Sequence, residues 1–115
     1  MIDRTSVFVD TAYIFALVNT RDQWHARAMQ WQAALTAERR PLITSEYVLM
    51  EIGDGLAAVR FRRQAIQVLE ALAASSLVEV VPASSELYAA GLELYRNRHD
   101  KDWGLTDCTS FEVMR

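Results

Sequence analysis

The stretch SVFVDTAYIFALVN, residues 6–19, decides the fold. Val7, Phe8 and Val9 form an unbroken apolar run, Asp10 closes it, and a helical pattern from Ala12 to about Val18 follows, capped by Thr11 and ended by Asn19 and Thr20. An unbroken run predicts a strand buried on both faces of a parallel sheet, since a strand wetted on one side would alternate. Open parallel sheets place their functional crevice beyond the carboxyl ends of the strands, where loops and helix N-termini converge. Asp10 stands at such an end. A plainer role fits the same residue, because an Asp before a helix also helps the helix begin.

Working outward, the same unit recurs. Asp22 opens a second helix whose Trp24, Ala28, Trp31 and Leu35 make one apolar stripe. A second strand over residues 42–44 leads to Ser45, an N-cap for a helix over EYVLMEIGDGLAAV, where Gly53 and Gly55 each cost about 1 kcal/mol relative to Ala and favour a bend. A fourth helix over residues 60–74 turns Phe61, Ala65, Val68, Leu69 and Leu72 to one side. Residues 77–81 form a third strand stopped by Pro82. Ser84 or Ser85 caps a helix with Leu87, Gly91, Leu94 and Tyr95 inward, and a polar loop, HDKDWG, precedes a last helix from about Asp107. Strands alternating with helices predict an α/β protein with a small parallel sheet covered by helices on both faces.

Composition bounds the rest. The 115 residues suit one domain, and 51% apolar residues with 4 Gly and 2 Pro describe a compact chain, not a disordered one. A net charge of −3 excludes a protein basic throughout, while leaving room for a basic face. One cysteine, Cys108, forms no internal disulfide, and no Cys/His spacing matches a zinc site. The opening MIDRTS is too charged for a signal peptide, and no run approaches the ~20 apolar residues of a membrane span. A cytoplasmic protein is expected.

Two further acids deserve weight with Asp10. Glu51 borders the Val48, Ile52, Leu56 row of its helix, and a carboxylate at that edge needs a partner, although an ordinary surface acid would read the same. Asp54 lies one turn on and could support it. Asp107 falls in the first turn of the last helix, where an acid already favours the helix dipole. Asp10, Glu51 and Asp107 each come from a separate βα unit. Converging carboxylates repel by about 4 kcal/mol per pair at ~4 Å and an effective dielectric near ~20, which a hard divalent cation relieves. Mg²⁺ or Mn²⁺ takes oxygen ligands and can activate water against a phosphodiester.

In order and spacing, VFVDT, ITSEYVLMEIGDGL and DKDWGLTDCTSFEVM resemble the PIN-domain nucleases, and among them the VapC-type toxins of bacterial toxin–antitoxin pairs. The resemblance spans nearly the whole chain, 1–115. It implies a three-layer α/β/α sandwich and an endoribonuclease with Asp10, Glu51 and Asp107 as catalytic, metal-binding acids. It places hydroxyls beside them at Thr11 and at Thr106 or Thr109, and implies an RNA substrate, a cognate antitoxin and a homodimer. Family members usually continue into a strand carrying a fourth acid. This sequence ends at Arg115 before that strand, so a truncated sandwich is expected, with Asp102 as a partial substitute for the fourth acid.

Arg60, Arg62, Arg63 and Lys101 are candidate RNA contacts, since most of the positive charge is arginine and its planar fork suits phosphate. Trp103, between candidate acids, could stack on a base or anchor packing. An impaired PIN-like module that binds RNA or an antitoxin without cutting is the alternative. A phosphatase or receiver domain fits worse, because Ala12 stands where such phosphatases carry a second Asp.

Overall fold

The computed structural model describes residues 6–115; the charged residues 1–5 lie outside them. The elements run β1 (Val7–Phe8), α1 (Thr11–Val18), α2 (His25–Glu38), β2 (Leu42–Ser45), α3 (Glu46–Gly55), α4 (Val59–Ala74), β3 (Val78–Val81), α5 (Ser85–Asn97) and α6 (Leu105–Met114). The three strands are parallel in the order β1-β2-β3, with Val7 opposite Leu42 and Leu42 opposite Val78. The alternation read from the sequence is borne out as a mixed α/β fold around a small parallel sheet.

Burial grades across that sheet. In β2, Ile43, Thr44 and Ser45 are buried, whereas Val7 and Phe8 of β1 are half-buried and Glu79 of β3 is exposed. The expectation that the first strand is covered on both faces is therefore corrected: β1 is an edge of the described sheet, and full burial belongs to the central strand. The ladder ends at Phe8 as well, although the Val9 N–H still donates to Ile43 O at 2.8 Å.

Beneath the sheet, Val9, Ile14, Val48, Ile52, Leu56 and Ala65 form the core. Val48 and Ile52 are fully inaccessible, worth about 1.5–3 kcal/mol each on burial. The Val48, Ile52, Leu56 row and the α4 face of Phe61, Val68, Leu69 and Leu72 all pack there, as their spacing predicts.

Other faces differ from the reading. Trp24 and Trp31 are 55% and 56% exposed, and only Ala28 of their stripe is buried. Trp24 is moreover the N-cap of α2, not its first turn; Asp22 instead accepts from the Trp24 N–H and shapes the turn before the helix. His25 ties α2 to α1 through Nδ1 and the carbonyl of Ala16, 2.7 Å apart. On α5, Gly91 is buried but Tyr95 is 49% exposed, against the inward position expected. The predicted bend at the glycines is a break: α3 ends at Gly55 with Leu56 as C-cap, and α4 begins at Val59.

Candidate functional site

Each candidate acid is positioned by a helix start or a helix edge. Asp10, extended at φ −104°, caps α1 itself, its carboxylate accepting from the Thr11 N–H at 2.6 Å. That corrects the cap expected at Thr11. Thr11 lies inside the helix, 5% exposed, and its hydroxyl donates instead to Glu51 Oε1 at 2.5 Å. The short carboxylate and the half-buried one are thus joined through a single residue, from the ends of two neighbouring βα units.

The backbone behind Asp10 is fixed from β2. Thr44, fully buried, donates its hydroxyl to Val9 O at 2.9 Å, bonding the two strand ends just before the acid. Sequence reading missed this residue, and a hydroxyl at the end of an otherwise apolar strand is the signal that could have found it. Ser45 then caps α3 through the Val48 N–H at 3.3 Å, as predicted, and α3 carries Glu51.

Glu51, Asp54 and Thr106 share one groove of about 800 Å³, walled also by Glu46, Tyr47 and Met50. Glu46 and Tyr47 clamp its far side to the loop before α5: Ala83 N–H donates to Glu46 at 2.7 Å and the Tyr47 hydroxyl to Ser84 O at 2.9 Å. Asp54 is exposed on this groove.

Asp107 is half-buried in the first turn of α6, which begins at Leu105, two residues earlier than expected. Its carboxylate accepts from the Gly104 N–H at 2.9 Å, so the acid closes its own helix start. Thr109, fully buried, commits its hydroxyl to Thr106 O at 2.6 Å. Cys108 is buried beside them, and burial, then the charges of Asp107 and Glu112, push its thiol pKa up.

Asp102 lines a different cavity, with Lys101 and Trp103. Arg60, Arg62 and Arg63 are exposed at the start of α4, where Arg60 lies 4.8 Å over the Phe61 ring and Arg62 donates to Ala57 O at 2.7 Å. Among the described residues, no three His, Cys, Asp or Glu side chains stand close enough together to hold one metal ion. The all-carboxylate donor set has the oxygen chemistry of a hard divalent cation's ligands.

Residues 7–115 match the PIN domain family. The chain is 31% identical over 110 residues to the 23S rRNA-specific endonuclease VapC20 of Mycobacterium tuberculosis, in strains CDC 1551 / Oshkosh and ATCC 25618 / H37Rv, covering 95% of this chain and 80% of the relative. Its fold superposes on the crystal structure of Mycobacterium tuberculosis VapC20, a sarcin–ricin loop cleaving toxin, with a TM-score of 0.81 over 96% of this chain and 82% of the other, at 31% identity.

Proposed function

This chain belongs to the PIN-domain family, and from that premise we propose that it is a VapC-like endoribonuclease that hydrolyses RNA phosphodiester bonds at Asp10, Glu51 and Asp107. The observation that carries the reading is the Thr11 bridge, a buried hydroxyl that fixes Glu51 beside the residue that follows Asp10. PIN-domain nucleases are metal-dependent; here Mg²⁺ or Mn²⁺ is the ion proposed, and Asp10, Glu51 and Asp107, which do not converge on one point in this structure, would have to draw together to hold it. Bound there, such an ion supplies an activated water and charge stabilisation at the phosphate.

The chain's own residues do the positioning. Asp10 is held at the mouth of the sheet by its bond to the Thr11 N–H, and Glu51 by the Thr11 hydroxyl, so both carboxylates keep one orientation as RNA arrives. Asp107 is oriented by its own helix start, through the Gly104 N–H. Arg60, Arg62 and Arg63 support the RNA reading. They stand in the opening turns of α4, where the helix dipole disfavours a cation by about 0.3–1 kcal/mol, a placement that serves solvent or a polyanion better than the helix. A cognate antitoxin, a homodimeric state and a cytoplasmic location complete the proposal, as the resemblance to VapC-type toxins implies.

Cleavage of RNA by the purified protein tests it, with Mg²⁺ or Mn²⁺, an EDTA control and the Asp10→Ala variant. Cutting that needs both the ion and Asp10 is expected. A folded protein that binds RNA but never cuts it would overturn the nuclease in favour of the non-cutting PIN-like module.

A further inference from the structure

A second cavity, of about 440 Å³, opens where α5 turns into α6. Tyr95, Arg98, His99, Lys101, Trp103 and Gly104 line it, together with the carboxylate residue Asp102. We infer that it is a nucleobase subsite, in which an unpaired base of single-stranded RNA stacks at Trp103 beside the scissile phosphate. The inference rests on the nuclease reading for its substrate, and on four observations of its own.

Trp103 is half-buried, anchored through an edge-to-face contact with Phe111 at 4.7 Å between centroids, so its ring is immobilised and still reaches the cavity. A packing anchor alone would be covered. Two cations stand over that ring, the Arg98 guanidinium at 5.0 Å and Lys101 Nζ at 5.9 Å. Arg98 is itself held by a fork of two 3.0 Å bonds to Asp100 and covers part of the ring, so a base would take the part of the Trp103 face that Arg98 leaves open.

The charges say which part of the nucleotide belongs here. Arg98 is neutralised by Asp100, and Asp102 opposes Lys101, so the cavity is no strong phosphate trap. A base suits it better: its π face meets Trp103, its amino edge can donate to Asp102, and the adjoining phosphate meets Lys101 at the exposed rim. Finally, Gly104 is both a wall of this cavity and the donor to Asp107, which places the stacked base next to a proposed catalytic acid.

The test isolates Trp103 as the only tryptophan by Trp24→Phe and Trp31→Phe, both at exposed positions. A non-cleavable 2′-O-methyl RNA oligonucleotide and its abasic counterpart are titrated by fluorescence, and cleavage of ordinary RNA is followed in parallel. The base-bearing oligonucleotide should quench Trp103 and the abasic one should not. Trp103→Leu should weaken binding about tenfold, and Lys101→Ala, at an exposed site where folding is not at issue, should lower the salt-dependence slope by about 0.7. Equal affinity for both oligonucleotides, or a fluorescence response to a poly-glutamate peptide and none to RNA, overturns the subsite. Asp10-dependent cutting with an unresponsive Trp103 would sink the subsite and leave the nuclease standing; quenching without any cutting would do the reverse.

Discussion

The hydroxyl of Thr11 donates a 2.5 Å hydrogen bond to Oε1 of Glu51, across 40 positions of sequence. A hydroxyl can orient a carboxylate without competing with it for a cation, and removing such an outer partner of a metal ligand typically costs about 10–100-fold in activity or metal affinity. Thr11→Val keeps the buried shape and deletes the donor. It should lower RNA cleavage within that range while stability falls by only about 1 kcal/mol, and Thr11→Ser should recover most of the rate. Unchanged cleavage by the valine variant would show that Glu51 needs no fixed orientation.

Much of the fold is legible because apolar periodicity reports which face of an element is buried. Val48, Ile52 and Leu56, and the α4 row from Phe61 to Leu72, are found where their spacing puts them. Trp24, Trp31 and Tyr95 fail for the complementary reason: periodicity says that a face is apolar, not what covers it, and in the described chain little covers these. The edge position of β1 is invisible for a related reason, since strand order depends on contacts between segments far apart in sequence.

A different local rule governs the end of α2. Arg39 takes φ 51° and ψ 43°, the left-handed cap geometry that glycine adopts freely and side-chain-bearing residues adopt at a cost of about 1–2 kcal/mol. Part of the gain from glycine is lost to its freer unfolded chain, about 0.5–1 kcal/mol. Arg39→Gly should still raise stability, by about 0.5–1 kcal/mol, read as a higher denaturation midpoint in urea with the same slope. A lower midpoint would mean that the Arg39 side chain holds more than its cap geometry costs.

Burial pushes the Tyr13 phenol above its ordinary pKa of 10.0. The folded state then keeps the proton that the unfolded chain gives up, so unfolded molecules bind fewer protons in that interval and stability falls as pH rises. The contribution is whole below pH 10.0 and is lost as pH climbs through the folded value. Tyr13→Phe should flatten the alkaline decline in melting temperature and remove one tyrosinate from the alkaline absorbance titration. An unaltered alkaline limb would place the decline on other groups.

The candidate site was legible only in part. Asp10, Glu51 and Asp107 can be singled out because each acid stands at a βα junction or helix edge, where a carboxylate asks for a reason. Their holders were harder to see. Thr11 could be flagged as a hydroxyl near the first acid, yet its bond to Glu51, the Thr44 bond to Val9 and the Gly104 bond to Asp107 are choices of partner that spacing alone does not make. Asp102 shows the converse: near Asp107 in sequence, it faces the neighbouring cavity.

The placement of Asp107 depends in turn on how closely α6 lies on α5, and Gly91 sets that approach. A Cβ on Gly91 would stand 2.6 Å from Thr109 Cγ2 and 3.2 Å and 3.3 Å from the Thr109 backbone N and Cα. Alanine would gain about 1 kcal/mol in helix propensity, but overpacking a buried contact costs about 1–3 kcal/mol, and here two of the three atoms are backbone that cannot rotate away. Gly91→Ala should therefore be destabilising by about 1 kcal/mol, and should slow RNA cleavage by shifting α6 and its acid. Adding Thr109→Ser, which removes the nearest methyl and keeps the hydroxyl bonded to Thr106 O, should restore part of both losses. Additive effects in that double variant would mean that the two helices are not held apart by this contact.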